Sequence, residues 1–203
     1  MPFIFDMRLK NVIIINTLIM AVMVPLGWAN ESGESLTNQP ATVEKASTAW
    51  NYKLVDYGFS ITLPDSDWVA RPSSIHGVAG FLKKGFAMRT DIFVVPCESV
   101  ASFQGLAERV KNEMDSAKGI SGTHHENGKT ESGHQYQFSI GTEKTESAPE
   151  GVYLGQSVVW IENKNIAVRT CFQGESLNRS ASIQGVDPKE LEKSARFICL
   201  SVK

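Results

Sequence analysis

Period-two alternation constrains this chain more than any other feature. Phe59, Ile61 and Leu63 alternate with Ser60 and Thr62, the pattern of a strand with one face turned to a core. The preceding Tyr52-Lys53-Leu54-Val55 is also strand-like, and Asp56-Tyr57-Gly58 between them is a turn, so the spacing predicts a hairpin closed by Pro64 and Asp65. Residues 77–88 read as a short strand and turn, and Thr90 to Val95 as a stronger strand stopped by Pro96. Gln135–Ile140, Tyr153–Ile161 and Asn165–Phe172 read as further strands. The last two are joined by Glu162-Asn163-Lys164, short enough to make them an antiparallel pair. Residues 120–134 read as a loop with an edge strand, 142–151 as a polar hairpin loop and 174–186 as another polar loop.

Only two segments carry helical periodicity. Phe103, Leu106, Val110 and Met114 recur at helical spacing behind Ser99 or Ser102 as N-cap, with Gly119 beyond the end. Asp187-Pro188-Lys189-Glu190 is a helix start, and Leu191, Ala195 and Phe197 supply its apolar stripe. Hairpin, strands, helix, antiparallel strands and terminal helix make an α+β domain: a central antiparallel sheet with helices packed on it.

The N-terminus bears on location. Arg8 and Lys10 precede an apolar run from Val12 to Trp28 that ends in Gly27-Trp28-Ala29, the three-part pattern of a secretory signal cleaved after Ala29. The run is interrupted by Asn16, Thr17 and Pro25 and falls short of the about 20 apolar residues of a membrane anchor. Translation from Met7 would drop Asp6 and give a better basic flank. No cysteine precedes Cys97 to carry a lipid anchor, so the expectation is a soluble periplasmic protein with no stable membrane anchor after cleavage. Residues 30–48 are polar and aperiodic and read as a flexible leader, with a single domain over 49–203.

A net charge of −2, with 42% hydrophobic and 21% charged residues, describes an ordinary globular chain and excludes a basic nucleic-acid surface. In an oxidising compartment two of the three cysteines are expected to pair. Cys171, at the end of a strand, and Cys199, near the end of the last helix, are the pair favoured here. The loop they close, roughly 28 residues, is worth about 3 kcal/mol. Cys97 is then the free thiol.

Tyr57-Gly58-Phe59-Ser60-Ile61-Thr62-Leu63-Pro64 followed by Trp68 resembles the opening of PsbP-like domains, and the bacterial exported DcrB-like branch most of all. The resemblance extends over residues 50–200, with the strand, helix, meander and final helix in the same order. It implies a PsbP-like α-β-α sandwich and no shared catalytic residues, since that fold hosts unrelated functions.

Three constellations bear on chemistry. His124, His125 and His134 share one segment and are the metal-ligand candidates, although adjacent strand histidines point to opposite faces. Cys97 lies between a strand and a helix N-terminus, where the dipole would lower a thiol pKa. The chain has neither a Gly-x-Ser-x-Gly elbow nor a Cys-x-x-Cys pair. Trp50, Tyr57 and Trp68, with Tyr52, Phe81 and Phe86, concentrate aromatics around the first hairpin and suggest a binding rim. The expectation is a non-enzymatic binder of another envelope protein, an assembly or folding helper without cofactor. An immunity or inhibitor protein against a toxin is the alternative, and a metal- or thiol-dependent protein the third.

Overall fold

The computed structural model describes residues 40–45, 50–73, 77–117, 119–145, 148–176 and 181–203, with backbone only at 145 and 148–150. The signal segment and most of the leader lie outside them. The fold is α+β, with ten strands in two sheets and two helices among the described residues. The smaller sheet has the order β1 (Val43–Lys45), β2 (Asn51–Leu54), β3 (Phe59–Thr62). The larger runs β4 (Trp68–Arg71), β5 (Ala79–Lys83), β6 (Met88–Pro96), β10 (Ile166–Glu175), β9 (Ala148–Ile161), β8 (Gln135–Thr145), β7 (Ile120–Lys129), and every pairing in it is antiparallel. Helix α1 spans Val100–Ser116 and α2 spans Pro188–Leu200.

The first hairpin forms as expected. Gly58 turns it with φ of 66°, a left-handed backbone favoured by glycine, and Phe59, Ile61 and Leu63 are all buried. β1 lies inside the segment read as a leader: Val43 to Lys45 pair with β2, and the Ala41 amide donates to the Val78 carbonyl at 2.8 Å. The packed domain therefore begins ahead of residue 49. Residues 120–129, read as mostly loop, form a full edge strand, and β8 and β9 extend through most of the expected loop to within two residues of each other.

Both helices start where their caps stand. Ser99 Oγ accepts from the Ser102 amide while Ser102 Oγ accepts from the Ser99 amide, a reciprocal capping box. Asp187 Oδ1 accepts from the Lys189 amide at 2.7 Å, with Pro188 in the first turn.

Strand alternation assigns each helix to its own face of the large sheet. On β9, Val159 and Ile161 join the main core with Phe138, Val168, Phe172 and the α2 residues Leu191, Ala195 and Ile198. Val158 and Trp160 face the other way, onto Phe103, Leu106 and Val110 of α1. The Phe103 and Trp160 rings stack at 5.9 Å, and Trp160 Nε1 donates to the Cys97 carbonyl at 2.9 Å. The small sheet shares the α2 side, where Tyr52 meets Phe81 edge to face at 5.1 Å. Lys83, 6% exposed, pins the two ends of that side by reaching Glu190 at 2.7 Å and Asp65 at 3.3 Å. One face of the sheet is thus closed by α2 and the small sheet. The other carries α1, which packs chiefly on β7, β8 and β9.

Candidate functional site

Helix α1 leaves β6 at one side of the sheet and delivers the chain to β7 at the opposite edge, so it crosses the face obliquely. Neither described helix covers the quadrant over β5, β6 and the far end of β10, but Pro72 and Ser73, leaving β4, lie over Gly80 and Asp91 there. Cross-strand register lays the side chains of this face out in rows. Val95, Ala167 and Trp160 belong to the apolar end beneath α1. Farther along, the row Gly80, Asp91, Cys171, Gln156, Ser139, His125 crosses six strands. Beyond it stand Leu82, Arg89 and Gln173, with Leu154 next on β9. Moving from one end of β10 to the other, a hydrophobic face becomes a polar one.

The polar row is buried and organised. Arg169, 4% exposed, donates through Nη2 to Glu113 Oε2 of α1 at 2.6 Å and through Nε to Gln156 Oε1 at 3.0 Å. Such a partly desolvated, charge-assisted pair is stronger than a surface one. Asp91, 2% exposed, accepts from Ser73 Oγ at 2.8 Å, and the same hydroxyl accepts from the Gly77 amide. At the other end His125 bridges Ser139 Oγ through Nδ1 and Asp115 Oδ1 through Nε2, each at 2.8 Å. The hydrogen bonds from His125 and then Thr123 hold the Asp115 carboxyl below its usual pKa. Two acceptors on this face, Glu113 Oε1 and Gln173 Oε1, are buried without a hydrogen-bond partner among the described residues.

Ser139, His125 and Asp115 form a hydroxyl–imidazole–carboxylate chain in which Ser139 is wholly buried. The chain ties α1 to the sheet. Asp115 and Ser139 escaped the sequence reading because one lies on a helix and the other on a strand with no shared motif; only register brings them together.

The singled-out residues fall in different places. His124 and His125 alternate across β7 as their adjacency dictates, and His125 has both ring nitrogens engaged. His134 lies elsewhere, lining a cavity of about 90 Å³ with Lys129, Gln135, Trp160 and Glu162. No three His, Cys, Asp or Glu side chains converge on one point among the described residues.

The cysteine pairing is corrected. All three thiols are free. Cys171 shares the α1 side with Ala167 and Arg169, whereas Cys199 packs in the core on the α2 side, so the sheet itself separates the favoured pair. Cys97 is a free thiol, 1% exposed under α1, and burial pushes its pKa up against its hydrogen bonds with Ser102 and Ser99, the opposite direction to the lowering expected from the helix N-terminus.

The aromatic rim is corrected at Trp68, which is 2% exposed and part of the main core. Trp50 and Tyr57 are half-buried and pack against that core. Lys45 lies 4.7 Å over the Trp50 ring, whose backbone sits in the left-handed region at φ 59°. Burial, and then Asp56, raise the Tyr57 pKa. These residues close the small sheet.

No family model matches the chain, and no curated protein matches it. Among solved structures it is similar to LpqN of Mycobacterium tuberculosis, described as involved in cell envelope biogenesis. Sequence identity is 13%, over 72% of this chain and 83% of that one, with a TM-score of 0.49. It is also similar to the Ran-binding protein Mog1p of Saccharomyces cerevisiae, at 8% identity over 80% of this chain and 95% of that one, with a TM-score of 0.47. No described helix is long and apolar enough to cross a membrane.

Proposed function

We propose that this chain is an exported, periplasmic, non-enzymatic protein-binding domain, an assembly or folding helper of the cell envelope built on a PsbP-like α-β-α sandwich. The observation that carries the binding reading is the asymmetry of the large sheet. One face is closed by α2 and the small sheet, while the other, beyond α1, presents Leu82, 39% exposed, across from half-buried Arg89, with half-buried Phe93 on the far side of the covered Gly80–Asp91 row. Exposed apolar surface edged by arginine is the composition of a protein interface. The basic flank, apolar run and Gly27-Trp28-Ala29 support export, and the opening hairpin with a helix on each sheet face supports the PsbP-like reading. A periplasmic immunity or inhibitor protein would use the same face.

The test is a cross-linking pull-down from the envelope of the native cell with the mature chain as bait, beside a Leu82→Asp bait. A stoichiometric partner lost with the variant is the expected result. Equal recovery by both baits contradicts the assignment of the face. An N-terminal peptide map of the exported protein starting at Asn30 is the expected result for cleavage, and an intact Met1 or Met7 start contradicts it.

A further inference from the structure

The large sheet ends at β7, and no described strand lies beyond it. The backbone shows which groups that edge presents. The Thr130 amide donates to the His134 carbonyl at 2.8 Å, so Thr130 and His134 are a hydrogen-bonded pair. Bonded and non-bonded pairs alternate along an antiparallel ladder. Lys129–Gln135, Asn127–Gln137 and His125–Ser139 are therefore non-bonded pairs, and the amides and carbonyls of His125, Asn127 and Lys129 point away from β8. None of these groups has a backbone partner among the described residues. The bulge of β7 falls earlier, between Ser121 and His124, so the stretch that follows is a regular strand. Sheets ordinarily cover, twist or interrupt such an edge, because it is a template for another strand.

We infer that β7 pairs antiparallel with β7 of a second copy of this chain, with Asn127 on the two-fold axis. Register is the first reason. With the axis there, His125 stands opposite Lys129 of the other copy and Asn127 opposite itself, so all three outward residues find outward partners at two hydrogen bonds per pair. Moving the axis to Glu126 would leave Lys129 facing the bulge and would oppose two glutamates; moving it to Gly128 would leave His125 facing the turn. Shape is the second. Glu126 is held by Arg196 and by the Tyr136 hydroxyl, and the residue set opposite it is Gly128, which brings no side chain against that pair. Tyr136 already lies 3.1 Å from where a Gly128 Cβ would stand. Charge is the third. Lys129 has no ion pair among the described residues, and the register brings its ammonium beside Asp115 of the other copy. That side chain is 39% exposed, rests on the His125 ring and has Lys111 no nearer than 3.7 Å. The two large sheets become one continuous sheet, and β5, which carries Leu82, lies near the other end of the strand order and stays uncovered. With no fully buried side chain on β7, the pairing supplies hydrogen bonds and little apolar area. The dimer is weak, and its population follows concentration.

The test is sedimentation of the full mature chain over a range of concentrations, beside Asn127→Pro. The Asn127 amide points outward, so proline removes a donor from the interface and leaves the β7–β8 ladder intact. The expected result is a mass that rises with concentration toward the dimer for the unaltered chain. Asn127→Pro is expected to stay monomeric throughout, with the same thermal midpoint. Should that variant not fold, hydrogen exchange of the unaltered chain serves, with the amides of His125, Asn127 and Lys129 slowing severalfold as concentration rises. A monomer at every concentration, a dimer that survives Asn127→Pro, or exchange at the three amides that ignores concentration overturns the inference. A monomer whose three amides slow only when envelope extract is added gives the edge to a different polypeptide and overturns the second copy.

Discussion

Arg169 Nη2 on β10 reaches Glu113 Oε2 on the last turn but one of α1 at 2.6 Å, and the guanidinium is almost fully enclosed. This contact fixes the end of the helix over the row where the sheet face changes from apolar to polar. Removing one partner strands the other. Glu113→Ala is expected to destabilise the domain by on the order of 3 kcal/mol. The double variant Glu113→Leu/Arg169→Met should recover much of that loss. Urea denaturation of the singles and the double measures the coupling, and additive losses would contradict it.

Trp68 is core, and its replacement should show it. Trp68→Ala is expected to cost about 3–5 kcal/mol, the range for emptying a large aromatic site. A variant of unchanged stability in chemical denaturation would return Trp68 to the surface.

The three thiols give a direct readout of the sheet's two sides. In the native state under non-reducing conditions, Cys171 should react slowly with a thiol reagent and Cys97 and Cys199 not at all, with all three reacting after denaturation. Burial raises the pKa of Cys97, and it pushes that of Cys199 up to about 12. A Cys171–Cys199 disulfide in a mass map of the native protein would contradict the fold's separation of these residues.

Acid stability should depend on Asp115. Hydrogen bonds from His125 and Thr123 depress its folded-state pKa below the usual value near 3.8, so its carboxylate stabilises the fold above that value. The contribution is lost as the pH falls through the folded-state pKa. Stability curves of the wild type and Asp115→Asn should therefore be separated at neutral pH and converge at the acid end. Parallel curves would show that the His125 contact contributes nothing.

Much of this architecture is legible in the residues themselves. Phe59, Ile61 and Leu63 alternate cleanly because one face of β3 is core and the other is not. Ser99 and Asp187 announce their helices by capping chemistry that is local in sequence. β7 is legible only in part: residues 120–134 do hold an edge strand, but its full extent, Ile120 to Lys129, is hidden because a strand with no fully buried side chain carries little apolar alternation. The burial of Trp68 is hidden as well, since an aromatic after a turn signals size and not direction. The polar row could not be read at all: Asp91, Cys171, Gln156, Ser139 and His125 become neighbours only through strand register. Alternation gives each residue a face, and long-range pairing gives it a neighbour.

The central claim is that the sheet face around exposed Leu82 is where this protein meets its partner. A photo-activatable amino acid placed at Leu82, and in a second chain at the exposed Glu131 turn, tests it in the native envelope. The account predicts a discrete adduct with another protein from position 82 and none from position 131. No adduct from position 82, or the same adduct from both positions, would contradict it.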